Sequence, residues 1–163
     1  MTLSFLDLIC RSSKMSTILE FHIGDIQLET CMFGVWIPTY ERARPKTYTI
    51  SSPTKQVEVW LLDSSSILES EIQAGTMSWT TKPPRTAFLG NLSINPGGPS
   101  TVIDGYYCKT GSIQLIEVVC VGDGDCIIDF TQDTTYPKIG PLSGIYQDFE
   151  THHAMIRISN ENS

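Results

Sequence analysis

Short stretches of alternating apolar residues, separated by turn-forming residues, constrain this chain more than any other feature. Thr17–Ile23 (TILEFHI) and Gln56–Leu62 (QVEVWLL) both alternate with a period of two residues, which is typical of a strand with one buried face. In Gln56–Leu62 the alternation directs Val57, Val59 and Leu61 inwards and places Trp60 on the opposite side. The chain is therefore expected to be built from β-strands.

About eight such strands are predicted: Thr17–Ile23, Cys31–Ile37, Gln56–Leu62, Thr86–Ile94, Thr101–Tyr107, Ile113–Val121, Cys126–Thr131 and Gly144–Phe149. Helical periodicity is nearly absent, and its best candidate, Ser65–Gln73, is expected to be a single surface turn. Many short strands with turn residues between them favour an all-β, two-sheet antiparallel sandwich with a jelly-roll-like strand order.

The chain has 163 residues, a length that suits one domain. We expect an N-terminal extension over residues 1–15, a β-sandwich over 16–150 and a C-terminal tail over 151–163. The formal net charge of -7 argues against nucleic acid as a partner, because phosphate binding needs a basic face. No apolar run approaches the length of a transmembrane segment.

The N-terminal stretch Thr2–Cys10 is short and mostly apolar, but Asp7 interrupts it. No basic residue precedes it and no small-residue cleavage site follows, so it matches a secretory signal poorly. Three alternatives stay open for this segment: a strand-like extension, a degenerate signal, or a misassigned start with Met15 as the true first residue.

Several segments occur together in a suggestive order: Ser16–Phe21 (STILEF), Glu29–Phe33 (ETCMF), Val57–Leu62 (VEVWLL), Ser78–Pro83 (SWTTKP), Leu89–Gly90, Tyr106–Cys108 (YYC), Asp129–Asp133 (DFTQD) and Gly140–Tyr146 (GPLSGIY). Over about residues 16–149 this order resembles the fungal domain named after the C-terminal part of the ubiquitin-three-binding protein But-two. The resemblance implies a β-sandwich in an exported or cell-surface fungal protein. The family name implies a role, namely binding to a ubiquitin-like-protein activating enzyme.

The chain contains five cysteines, namely Cys10, Cys31, Cys108, Cys120 and Cys126. Cys31 and Cys108 match the two recurrent cysteines of that family, so the resemblance implies a disulfide between them. Cys120 and Cys126 flank the Gly122–Asp125 loop and are a second candidate pair. The alternative is that all five are reduced and buried as small apolar residues.

Motifs for catalysis and for cofactor binding are missing from the sequence. It has no nucleophile elbow, no phosphate loop and no dinucleotide fingerprint, so we expect neither catalytic residues nor a cofactor. Asp123, Asp125 and Asp129 could supply oxygen ligands to a cation, but their spacing fits no complete calcium loop. A solvated Asp-Gly turn explains them better.

Aromatic residues offer the best hypothesis for binding, because their flat faces pack against the C–H surface of sugars. Trp79, Trp36 and Tyr40 are the ligand-binding candidates, and Trp79–Pro83 also resembles a motif of carbohydrate-associated jelly-roll domains. Asn91 begins an Asn-Leu-Ser glycosylation sequon, which is usable only in an exported chain.

Three functions are therefore weighed. The first is a non-enzymatic binding domain of a secreted or cell-surface protein, with cell-wall polysaccharide as its ligand. The second is a cytoplasmic protein-interaction module of the kind that the family name implies. The third is an enzyme with an unfamiliar site.

Overall fold

The computed structural model describes residues 6–11, 15–23, 30–37, 39, 48–51, 55–65, 80–99, 103–121, 126–132, 140–144 and 153–159. These residues form twelve strands: β1 Leu6–Arg11, β2 Met15–His22, β3 Thr30–Ile37, β4 Tyr48–Ser51, β5 Gln56–Leu62, β6 Arg85–Ser93, β7 Gly98–Pro99, β8 Ile103–Tyr107, β9 Ile113–Cys120, β10 Ile127–Gln132, β11 Gly140–Gly144 and β12 His153–Ser159. None of the described residues is helical, and they include no helix that could cross a membrane.

The strands form three antiparallel sheets. The largest has five strands in the order β12-β2-β9-β5-β6. A four-stranded sheet follows the order β11-β3-β7, with β8 also paired to β3, and a three-stranded sheet follows the order β1-β10-β4. Every paired register is antiparallel.

One buried cluster joins the three sheets into a sandwich. It contains Val57 and Val59 of β5, Phe33 of β3 and Ile128 of β10, all of them fully buried. The rings of Phe21 and Phe33 meet edge to face across the layers, with 6.0 Å between their centroids, an arrangement that aromatic pairs prefer. The predicted all-β antiparallel sandwich is confirmed, while the jelly-roll-like strand order stays a prediction.

Segments near both ends of the chain also form strands. Leu6–Arg11 pairs with β10, and His153–Ser159 pairs with β2. The predicted strand Gly144–Phe149 begins at the last residue of β11, and beyond Gly144 it lies outside the described residues. The predicted turn at Ser65–Gln73 is likewise described only at Ser65, which is in a turn.

The five-stranded sheet has two different faces. Its inner face carries Val57, Val59, Ile116 and Val118 into the shared core. Its outer face carries the alternate residues of the same strands, including Glu117 of β9 and Trp60 of β5, which are register partners. Trp60 therefore lies opposite Val57 and Val59, as the alternation of Gln56–Leu62 predicts.

Candidate functional site

The outer face changes from buried to exposed across the sheet. In one row of register partners, Ile18 of β2 pairs with Glu117, Glu117 with Trp60, and Trp60 with Phe88 of β6. Ile18 and Glu117 are fully buried, Trp60 is partly buried and Phe88 is 49% exposed. The outer face is therefore covered over β2 and β9 and opens towards the edge strand β6.

Trp60 is held by three neighbours at this opening. Its ring centroid lies 4.7 Å from that of Phe88, with the two rings tilted by 49°. The Cζ atom of Arg85 lies 4.6 Å from the Trp60 ring centroid, a distance at which a guanidinium is attracted to the ring face. The indole Nε1 donates a hydrogen bond of 3.0 Å to Oε2 of Glu58. Because Arg85 covers Trp60, Phe88 is the more open ring of the two.

An ion cluster around a buried carboxylate lies beside these rings. The Glu117 side chain has no exposed surface, and its Oε2 accepts a hydrogen bond of 2.7 Å from Nε of Arg85. Its Oε1 accepts a second hydrogen bond from Nζ of Lys82. Burial raises the pKa of the Glu117 carboxyl, but the hydrogen bonds from Arg85 and Lys82 outweigh it, so the pKa lies below its ordinary value.

These properties make Glu117 a residue that positions Arg85 and not a general acid. A general acid must hold a proton near the working pH and reach the substrate, whereas the Glu117 carboxylate is ionised and enclosed. Its evident role is to fix the guanidinium of Arg85, which in turn lies over Trp60. The buried charge therefore sets the arrangement of the exposed rings.

Asn91 lies on the same face. It is the register partner of Glu58, while Phe88 is the partner of Trp60. Glu58 and Trp60 are two residues apart on β5 and share a side, so Asn91 and Phe88 share that side too. Leu89 is the extra residue of the bulge between them, and Asn91 is exposed. We call Glu58, Trp60, Arg85, Phe88 and Asn91 the outer patch.

A glycine on the inner side permits this bulge. Gly90 has a φ of +147°, and a Cβ atom there would lie 3.5 Å from Cγ1 of Ile103. The next inward-facing residue of β6, Leu92, is fully buried. The chain can therefore direct Gly90 and Leu92 inwards while Phe88 and Asn91 face outwards.

The ligand-binding residues expected from the sequence are not brought together by the described part of the structure. Trp79 and Tyr40 lie outside the described residues. Trp36 lies in β3 between Gly140 of β11 and Pro99 of β7, but its side chain is not described.

The acidic residues considered for a cation are described only in part. Asp123 and Asp125 lie outside the described residues, and Asp129 is partly buried in β10. Within the described ranges no three His, Cys, Asp or Glu residues come together as a metal site.

Both cysteine pairs considered in the sequence are disulfides. Cys31 and Cys108 are joined across 77 positions, with 5.8 Å between their Cα atoms. Cys120 and Cys126 are joined across six positions, with 6.2 Å between their Cα atoms. All four cysteines are buried. Because they are bonded in pairs, the alternative of five reduced cysteines is wrong.

Sequence reasoning missed most of the outer patch, although two signals were present. Glu117 is the one charge in the otherwise apolar or amide-bearing strand IQLIEVVC, and a buried charge requires a partner. The spacing of Glu58 and Trp60 places both on one side of β5. Phe88 carried no such signal, because the bulge at Leu89 shifts the alternation of β6.

Comparison with known families gives one match over most of the chain. A family model described as the ubiquitin 3 binding protein But2 C-terminal domain matches residues 9–135. The chain belongs to this family. The match begins within β1 and ends beyond β10, so it includes the outer patch and all four bonded cysteines. No curated protein and no solved structure is significantly similar to the chain.

Membership of the But2 C-terminal domain family confirms the resemblance expected from the sequence, with different limits. The matched segment starts earlier than the expected residues 16–149 and ends before Gly140–Tyr146. The family takes its name from a binding protein.

Proposed function

We propose that this chain is a non-enzymatic binding domain of a secreted or cell-surface protein and that it recognises carbohydrate through the outer patch. The observation that carries the proposal is the half-exposed Phe88 ring, which packs on Trp60 and lies in β6, the last strand of the five-stranded sheet. An exposed large apolar ring beside ordered polar groups is a feature of interaction surfaces.

The chemistry of the patch suits a sugar. An aromatic face packs against the C–H side of a pyranose ring, while hydroxyl groups need hydrogen-bond donors and acceptors at the rim. Phe88 offers the face, Arg85 offers donors, Glu58 offers an acceptor and Asn91 offers both. Arg85 is already fixed by Glu117, so less conformational entropy is lost when it meets a ligand.

The disulfides support the exported setting. Bonds of this kind persist in oxidising compartments and are rare in cytosolic proteins. The exposed Asn91 sequon is compatible with the same route. Trp79, Trp36 and Tyr40 stay additional candidates for ligand contact.

A protein partner is the second candidate function, because the family is named after a ubiquitin 3 binding protein. In that case Phe88 would be an apolar anchor for a protein surface, as aromatic residues often are.

Retention on immobilised fungal and plant polysaccharides tests the proposal. We expect the wild-type chain, produced without N-glycans, to be retained and Phe88→Ala to lose at least tenfold in retention. Tyr107→Ala is the matched control, since Tyr107 is 62% exposed but lies in β8 of another sheet. Trp79→Ala is run beside both.

The outcomes separate the candidates. Loss with Phe88→Ala and not with Tyr107→Ala supports binding at the outer patch. Loss with Trp79→Ala alone would move the site away from the patch. No retention on any polysaccharide would overturn carbohydrate recognition and leave the protein partner as the candidate to test.

A further inference from the structure

We propose that Asn91 is an N-glycosylation site whose first sugar packs on the Phe88 ring of the same chain. A consequence, which rests on the proposed function, is that this glycan covers the outer patch and competes with external carbohydrate.

The positions of the two side chains support the proposal. Phe88 and Asn91 face the same side of β6, because their register partners Trp60 and Glu58 share one side of β5. Both residues are exposed, and because of the bulge at Leu89 only the register pair Val59–Gly90 lies between them. A sugar attached to Asn91 thus begins at the position next to Phe88 on this side of the strand.

The chemistry of the ring explains what the glycan would gain. Among the described residues, Phe88 is one of two large apolar side chains that are exposed, and its exposed fraction is 49%. Trp60 supports one part of it through a contact of 4.7 Å between centroids. The N-acetylglucosamine next to the asparagine presents a C–H face and an acetamido methyl group, both of which can remove this ring surface from water.

The sequon is complete, and its asparagine is exposed. Asn91 and Ser93 are separated by Leu92, which is not proline. The donor is a lipid-linked diphosphate oligosaccharide. The Asn91 amide nitrogen forms a bond to the anomeric carbon of the first sugar and loses a proton. The bond from that carbon to the diphosphate oxygen breaks, and the lipid diphosphate leaves with the electron pair.

The test uses the full chain, secreted from a eukaryotic host behind a cleavable leader. Peptide mass spectrometry reports whether Asn91 is occupied. An endoglycosidase then trims the glycan to a single N-acetylglucosamine, and thermal unfolding compares this protein with Ser93→Ala, which removes the sequon but keeps the Asn91 amide. Both are also prepared with Phe88→Ala.

We expect Asn91 to be occupied and the attached sugar to raise the unfolding midpoint by about 2–4 °C. The gain should disappear with Phe88→Ala and persist with Tyr107→Ala, the exposed aromatic control in β8. Phe88→Leu provides a second test if Phe88→Ala fails to fold, and the gain should fall there as well. An unoccupied Asn91, or a gain of equal size without the Phe88 ring, would overturn the proposal.

Binding measurements keep the two proposals separate. If the outer patch binds carbohydrate, Ser93→Ala should be retained on polysaccharide at least tenfold better than the untrimmed glycoprotein. If Ser93→Ala is not retained at all, the proposed function fails, while occupancy and the Phe88-dependent midpoint still decide the glycan proposal. Equal retention of Ser93→Ala and the untrimmed glycoprotein would contradict the claim that the glycan covers the outer patch.

Discussion

Glu117 and Trp60 are register partners across β9 and β5, yet the Glu117 side chain is fully buried while Trp60 is partly exposed. Arg85 connects them, because its Nε donates to Glu117 at 2.7 Å and its Cζ lies 4.6 Å from the Trp60 ring centroid. A buried negative charge thereby fixes a cation over an exposed aromatic surface. This connection between the interior and the outer patch leads to the first predictions.

Glu117→Gln should destabilise the fold by about 2 kcal/mol, because Lys82 and Arg85 lose the charged acceptor of their hydrogen bonds. Urea unfolding measures the change in the free energy of unfolding. Glu58→Gln is the matched control, since Glu58 is only partly buried and makes one hydrogen bond to Trp60. Equal losses in the two variants would contradict the special role of Glu117.

Stability should also fall in acid because of Glu117. Its pKa is lower in the folded chain than the ordinary value, which for the unfolded chain is about 4.3. The stabilisation from the ionised Glu117 is therefore complete when the pH is above the pKa of the unfolded chain. It is lost as the pH falls through the lower pKa of the folded chain. The difference in free energy of unfolding between wild type and Glu117→Gln should shrink below about pH 4. A difference that stays constant into strong acid would contradict the pKa direction.

Substitutions at Trp60 should separate the ring from its indole N–H. Trp60→Phe keeps a ring beneath Arg85 but removes the donor to Glu58, and should cost about 1 kcal/mol. Trp60→Leu also removes the contacts with Arg85 and Phe88 and should cost about 2 kcal/mol. Tyr107→Leu should stay within about 0.5 kcal/mol at its exposed position. A Trp60→Leu protein as stable as Trp60→Phe would show that the ring contacts contribute little.

The two disulfides should contribute unequally. On the chain-entropy relation, the link across 77 positions contributes about 4.5 kcal/mol and the link across six positions about 2 kcal/mol. Replacing each pair by alanine and measuring unfolding in denaturant tests this order. A larger loss on removing Cys120 and Cys126 would contradict it.

Much of the fold could be predicted from the sequence because strand alternation is a local signal. In β5 the inward Val57 and Val59 and the outward Trp60 follow directly from a period of two. The Cys31–Cys108 disulfide came from the family resemblance, since spacing alone does not define connectivity.

The outer patch was harder to predict because it depends on long-range register. Glu117 meets Lys82 and Arg85, which are 35 and 32 positions away along the chain. Phe88 and Asn91 share a side only because Leu89 forms a bulge, and a bulge reverses the alternation that a sequence pattern relies on. Such contacts appear only once the strand pairing is known.

The most direct test of the outer patch as a binding surface is an NMR titration of the Ser93→Ala protein, free of N-glycan, with a polysaccharide-derived oligosaccharide. The chain has three tryptophans, so its indole N–H signals can be assigned by substituting each one. The Trp60 indole and Phe88 ring signals should shift together and saturate, while the Tyr107 ring signals stay in place. Saturable shifts that leave Trp60 and Phe88 unchanged would contradict binding at the outer patch.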